Sequence, residues 1–176
     1  MADAANPGEV FLMPGEYFVG AAGLRARTLL GSCVSITLWH RKKRVGAMSH
    51  FLLASRPHRG EDLDGRYGDE AVLLMLRELM RRAVAPSECE AKIFGGARML
   101  GEADTAQVGR NNGETARRLL RELNIPVVSE SLYGVGHRNI VFDLATGSVW
   151  SRQVSPVQAQ AIALPDARLP ARRVAA

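Results

Sequence analysis

The chain has 176 residues, 47% hydrophobic and 23% charged, with two cysteines. A chain of that size buries about 70% of its extended surface in one core, and the composition excludes collagen-like, disulfide-framework and disordered classes. Twenty-three basic against 18 acidic residues give a formal +5, which raises a polyanion partner and makes the location of the excess the first question.

In chain order, residues 1–8 have neither a basic n-region nor an apolar h-region and read as a flexible N-terminus. Residues 9–20 read as two short extended pieces broken at Pro14-Gly15. A strand from Arg25 is interrupted at Gly31-Ser32-Cys33. It resumes with Val34, Ile36 and Leu38 alternating with Ser35, Thr37 and Trp39, a period of two. The basic run 40–44 reads as a hairpin tip and 45–53 as the returning strand. Residues 54–68 are polar and Gly-rich, an unpatterned loop of a length that is often functional.

A helix is predicted from near Asp69, with Leu73, Leu76, Leu79, Met80 and Ala83 on its apolar face, ended by Pro86. Residues 91–94 form a short strand running into Gly95-Gly96. A second helix is predicted over about 113–123, followed by strands at 125–130 and 138–142. Ala145-Thr146-Gly147 turns a last hairpin into Val149 and Trp150. Seven to nine strands grouped around two helices predict an α+β fold: a mixed, largely antiparallel sheet or sheets with two main helices packed on one face. The predicted domain spans 9–154, and 155–176 reads as a flexible basic tail.

Dividing the chain locates the charge. After Trp150 stand Arg152, Arg168, Arg172 and Arg173 against Asp166, so the preceding 150 residues are nearly neutral. No aromatic residues interleave with the basic run 40–44, which disfavours nucleic acid and favours docking to an acidic protein surface near the strands it joins. The apolar run 71–76 is far too short to span a membrane. Two cysteines and no export signal predict reduced thiols and a cytoplasmic protein.

His40, His50, His58 and His137 show no metal-ligand spacing. Gly134-Val135-Gly136 lacks the third glycine and the helix of a dinucleotide loop. No Gly-Lys-Ser/Thr follows Gly95-Gly96, and no serine-nucleophile elbow is present. What remains is Gly31-Ser32-Cys33, where glycine lets the strand bulge and aim a thiol outward. Folding the hairpin between residues 42 and 43 sets position 33 opposite about 52. A bulge or small register shift then brings His50 beside Cys33, to ionise the thiol and shuttle a proton. A free cysteine is more often a small core residue and a strand histidine more often structural, so the pattern alone leaves both roles open. Cys89, between Glu88 and Glu90, reads as structural.

Thr28-Leu29-Leu30-Gly31-Ser32-Cys33-Val34, with Gly46-Ala47-Met48-Ser49-His50-Phe51 and Ile93-Phe94-Gly95-Gly96-Ala97, resembles the signature of the CheD family, bacterial chemoreceptor glutamine deamidases. The resemblance runs through Val108-Gly109-Arg110-Asn111 to the final hairpin, roughly residues 9–153. It implies hydrolysis of glutamine side-chain amides on methyl-accepting chemotaxis receptors, with Cys33 as nucleophile, His50 as general base, and neither metal nor organic cofactor. In some bacteria the family also binds a CheC-type phosphatase, a second expected partner. Gly95, Gly96 and the loop 54–68 are candidates for shaping the substrate groove. The family's threonine that orients the histidine falls six positions before the cysteine, where this chain has Arg27. Thr28, five positions before, is the candidate, and strand parity puts it on the opposite face from Cys33 unless Gly31 rephases the strand. A catalytically weak binding partner in the chemotaxis assembly is the alternative.

Overall fold

The computed structural model describes residues 7–102 and 104–154. The expected tail 155–176 and most of the expected flexible segment 1–8 lie outside the described residues; Gly8 already belongs to the first strand. The elements are β1 (Gly8–Phe11), β2 (Tyr17–Ala21), β3 (Leu24–Leu30), β4 (Val34–His40), β5 (Val45–Ser49), α1 (Gly68–Arg81), a short 3-10 turn (Pro86–Glu88), β6 (Glu90–Gly95), α2 (Thr105–Glu122), β7 (Val127–Leu132), β8 (His137–Asp143) and β9 (Val149–Val154). Among the described residues this is the predicted α+β fold, with mostly antiparallel pairing.

The strands form two sheets, ordered β2-β5-β4-β6-β7 and β1-β3-β8-β9. Only β1 with β3 and β6 with β7 pair in parallel. Both helices cover one face of the five-stranded sheet, α1 over β2 and β5, α2 over β4 and β6. The other face meets the four-stranded sheet, so the molecule has three layers and two apolar interfaces. Val34, Ile36, Leu38, Met75, Leu79, Ile93 and Leu120 fill the helix side. Leu12, Ala26, Leu30, Trp39, Met48, Phe94, Ile140 and Phe142 fill the space between the sheets. Each large side chain fully buried there is worth about 1.5–3 kcal/mol.

The second sheet explains why β4 is buried at all seven positions, although its Ser, Thr and Trp positions alternate like a half-exposed strand. The strand also does not continue across Gly31. β3 and β4 belong to different sheets, and residues 31–33 carry the chain from one layer to the other.

Both helices differ from expectation at an end. α1 stops at Arg81 because Ala83 takes a left-handed conformation (φ 56°) and the Val84 N–H turns back to Leu79 O at 2.9 Å. Pro86 then opens the 3-10 turn and does not terminate the helix. α2 begins at Thr105, eight residues ahead of expectation, and its early turns contain the weak helix formers Gly109, Asn111, Asn112 and Gly113. Tertiary contacts described below hold them. No helix among the described residues is long and apolar enough to cross a membrane.

The basic tip also moves. Residues 41–44 turn at the far end of β4, whose seven residues put about 23 Å between the tip and Cys33. The charge expected near a docking face therefore stands at the other end of the strand from Cys33.

Candidate active site

The loop 31–33 is held by its carbonyls. Gly31 O accepts from the Ala97 N–H at 2.9 Å and Cys33 O from the Gly96 N–H at 2.8 Å. Ser32 O accepts from the Asn112 side-chain amide at 3.1 Å. With three successive carbonyls turned into the protein, the loop's N–H groups are left for other use. Cys33 is half-buried at the rim of the cluster between the sheets.

Gly95 and Gly96 form the back of this loop and are buried. They support its backbone, the Gly96 N–H donating to Cys33 O. Gly95 has φ 114°, and a Cβ there would sit 2.2 Å from Cys33 O. Gly95→Ala is expected to cost roughly 2–4 kcal/mol, read as a lower denaturation midpoint at unchanged slope. Gly96 and Gly109 face each other, and a Cβ on Gly109 would lie 2.4 Å from Gly96 O. That close approach is why α2 carries a glycine in its second turn.

His50 follows β5 and is buried. Its backbone is clamped between Glu16 O (2.9 Å) and the Gly15 N–H (2.7 Å). Met48 points between the sheets, so His50, two residues on, does too. There Nδ1 lies 2.7 Å from Thr28 Oγ1, and the Thr28 hydroxyl donates to Leu12 O at 2.7 Å. Because the hydroxyl proton is committed to Leu12, Thr28 accepts from His50, so Nδ1 carries the ring proton and Nε2 is the basic nitrogen. Thr28 contacts His50 although it stands five positions before Cys33. The parity objection fails because residues 28 and 33 lie in facing sheets. Arg27 points outward and pairs with Glu9.

The hairpin register is the one counted from its midpoint. Thr37 pairs with Met48 and Val34 with Phe51, which sets Cys33 opposite Leu52. No register shift is needed: His50 is the diagonal neighbour on the same face, at a Cα spacing of about 7–8 Å that long side chains bridge. Burial pushes the Cys33 thiol up to about 11 and the His50 imidazole down to about 4. The resting pair is a neutral thiol beside a neutral base. Burial disfavours the charged form of both groups, so the ion pair is not the resting state.

Asn112 escaped the sequence reading. It is buried in α2, and its amide donates both to Ser32 O and, at 2.8 Å, to Leu52 O, tying the cysteine loop to the chain just past His50. The available signal was an Asn-Asn-Gly run inside an amphipathic helix, where propensity alone disfavours it. The loop 54–68 is anchored on buried Glu70, which accepts from Arg56 and from the Asp64 N–H. With residues 10–12 and 14–19 it borders a groove of about 1000 Å³.

Fold and site together define a class: a layered α+β domain presenting one accessible thiol and one oriented, unprotonated imidazole between two sheets. The family model described as CheD chemotactic sensory transduction matches residues 52–153, more than half the chain, starting just past His50. The chain is 55% identical over 164 residues to the "Probable chemoreceptor glutamine deamidase CheD 2" of Albidiferax ferrireducens, covering 89% of this chain and 94% of that one. It is 47% identical to the "Probable chemoreceptor glutamine deamidase CheD 1" of Chromobacterium violaceum, covering 82% and 77%. With the "Probable chemoreceptor glutamine deamidase CheD" of Pseudomonas savastanoi pv. phaseolicola the identity is 39%, covering 86% and 87%. The chain belongs to the CheD family.

Proposed function

We propose that this protein hydrolyses the side-chain carboxamide of particular glutamines on chemotaxis receptors, leaving glutamate and ammonia, through Cys33 and His50. The relatives' names supply the substrate class. The observation that carries the roles is the chain of hydrogen bonds His50 Nδ1–Thr28–Leu12, which leaves Nε2 as a base on the face that holds Cys33. His50 Nε2 takes the thiol proton as sulfur attacks the carboxamide carbon. The free N–H groups of the 31–33 loop stabilise the resulting oxyanion. The same imidazole gives its proton to the departing ammonia, and a thioester remains for water to cleave.

Gly95 and Gly96 act in this scheme by fixing the loop that aims the sulfur. We put the reaction in the cytoplasm, a reading supported by two unpaired thiols. We extend the proposal to a CheC-type phosphatase as a second partner, on the family resemblance alone. The alternative of a catalytically weak binding protein rested on Arg27 at the threonine position, and the Thr28–His50 contact removes that ground. Incubating a receptor cytoplasmic fragment with the protein is expected to release ammonia and convert target glutamines to glutamate, seen by peptide mass. Unchanged masses on a fragment confirmed to carry those glutamines would refute the proposal.

A further inference from the structure

Among the described residues three buried side-chain atoms have no hydrogen-bond partner: Ser35 Oγ, His50 Nε2 and Asn112 Oδ1. The first two belong together. Ser35 is fully buried and lies two positions along β4 from Cys33, so its side chain leaves the same face of the sheet. The register that pairs Thr37 with Met48 and Val34 with Phe51 places Ser35 directly across from His50. Between those two pairings the strands part. There the Ile36 N–H donates to the Ser49 hydroxyl at 3.2 Å and not to a backbone carbonyl of β5.

The two orphaned atoms give this stretch of the interface its chemistry. The surrounding layer is apolar, built from Leu12, Leu30, Met48, Phe94 and Ile140. A buried polar atom without a partner is costly, and natural proteins keep few of them outside functional sites. A hydroxyl that can donate and an imidazole nitrogen that can only accept, set opposite each other, complement one small molecule with both capacities. Water accepts from Ser35 and donates to Nε2.

We propose that Ser35 Oγ and His50 Nε2 together seat the water that hydrolyses the Cys33 thioester, an inference that rests on the deamidase reading above. Nε2 removes a proton as the water oxygen attacks the thioester carbon, while Ser35 holds that oxygen in line. The carbon–sulfur bond then breaks, glutamate leaves, and the imidazolium returns its proton to the Cys33 sulfur, restoring the neutral pair. Ser35 thus serves the second half-reaction, and acylation proceeds without it.

Ser35→Ala separates the halves. With excess receptor fragment, this variant is expected to release its first equivalent of ammonia at the wild-type rate. Steady release then falls on the order of ten- to a hundredfold, and a receptor–enzyme adduct accumulates, visible by mass. Hydroxylamine, a nucleophile that needs no seat, is expected to discharge the adduct and restore turnover. Wild-type turnover by Ser35→Ala would overturn the proposal, as would a slowed first equivalent without adduct. If the wild type itself releases no more ammonia than Cys33→Ala, the deamidase reading fails and takes this inference with it.

Discussion

Cys33→Ala is expected to release no ammonia from a receptor fragment above background, a loss on the order of 10⁴-fold or more, while keeping its fold. Covalent catalysis through sulfur has no equivalent in this site, since the Ser35 hydroxyl across from His50 is fully buried and is a weaker nucleophile than a thiol. The fold survives because Cys33 sits half-buried at the rim of the inter-sheet cluster, where losing one sulfur costs about 1 kcal/mol or less. Cys89→Ala supplies the reciprocal case. Its thiol is buried on the helix side, so removal is expected to cost about 1–2 kcal/mol and leave activity intact. Acidity does not distinguish the two thiols. Both are pushed up to about 11, Cys33 by burial and Cys89 by burial and then by Glu88. Exposure and a base do distinguish them. Iodoacetamide is expected to label Cys33 first, at a rate that climbs with pH as thiolate forms. Activity surviving in Cys33→Ala, or preferential labelling of Cys89 in the folded protein, would contradict the assignment.

Part of this site was legible in the sequence because it depends on local geometry. The midpoint of the run 41–44 fixes which residues of β4 and β5 oppose each other, and the structure keeps that count from His40–Val45 through Val34–Phe51. The same count puts the basic turn at the opposite end of the strands from Cys33, so the hairpin that located the pair also removes the charge from it. What the chain could not disclose depends on which layers face each other. Alternation along 25–40 looks the same whether Gly31 bends one strand or passes the chain to a second sheet. Only the passage makes Thr28 a neighbour of His50 across the interface. Two covered faces also hide the polarity of Ser35, which reads from sequence as an outward residue and is fully buried. In α2, propensity argued against residues 105–112, and tertiary contacts won: Gly109 lets the helix touch Gly96, and Asn112 spends its amide on Ser32 and Leu52.

His50 should leave two signatures of its burial, one kinetic and one thermodynamic. In kcat/KM, which reports the free enzyme, the acid limb is expected near 4, where burial has moved the imidazole, and not near the ordinary 6.5. For stability, the folded protein keeps His50 neutral while the unfolded chain protonates it below about 6.5. The unfolded state therefore binds more protons between those values, and stability falls as pH drops from about 6.5 to about 4, by about 3 kcal/mol from this residue. Other groups also titrate toward acid, including Glu70, held below the usual carboxylate range chiefly by its hydrogen bonds from Arg56. The informative quantity is thus the wild-type value minus that of His50→Gln at each pH. That difference is expected to shrink toward acid, while His50→Gln loses activity on the order of 10²- to 10⁴-fold. Thr28 acts through the ring. Thr28→Val leaves Nδ1–H without its threonine acceptor, worth about 1–3 kcal/mol or roughly ten- to a hundredfold in kcat, at unchanged KM. Thr28→Ser, which keeps the hydroxyl, restores it. An acid limb near 6.5, or a Thr28→Val variant as active as wild type, would show that the imidazole is neither as dry nor as firmly oriented as the hydrogen-bond chain to Leu12 requires.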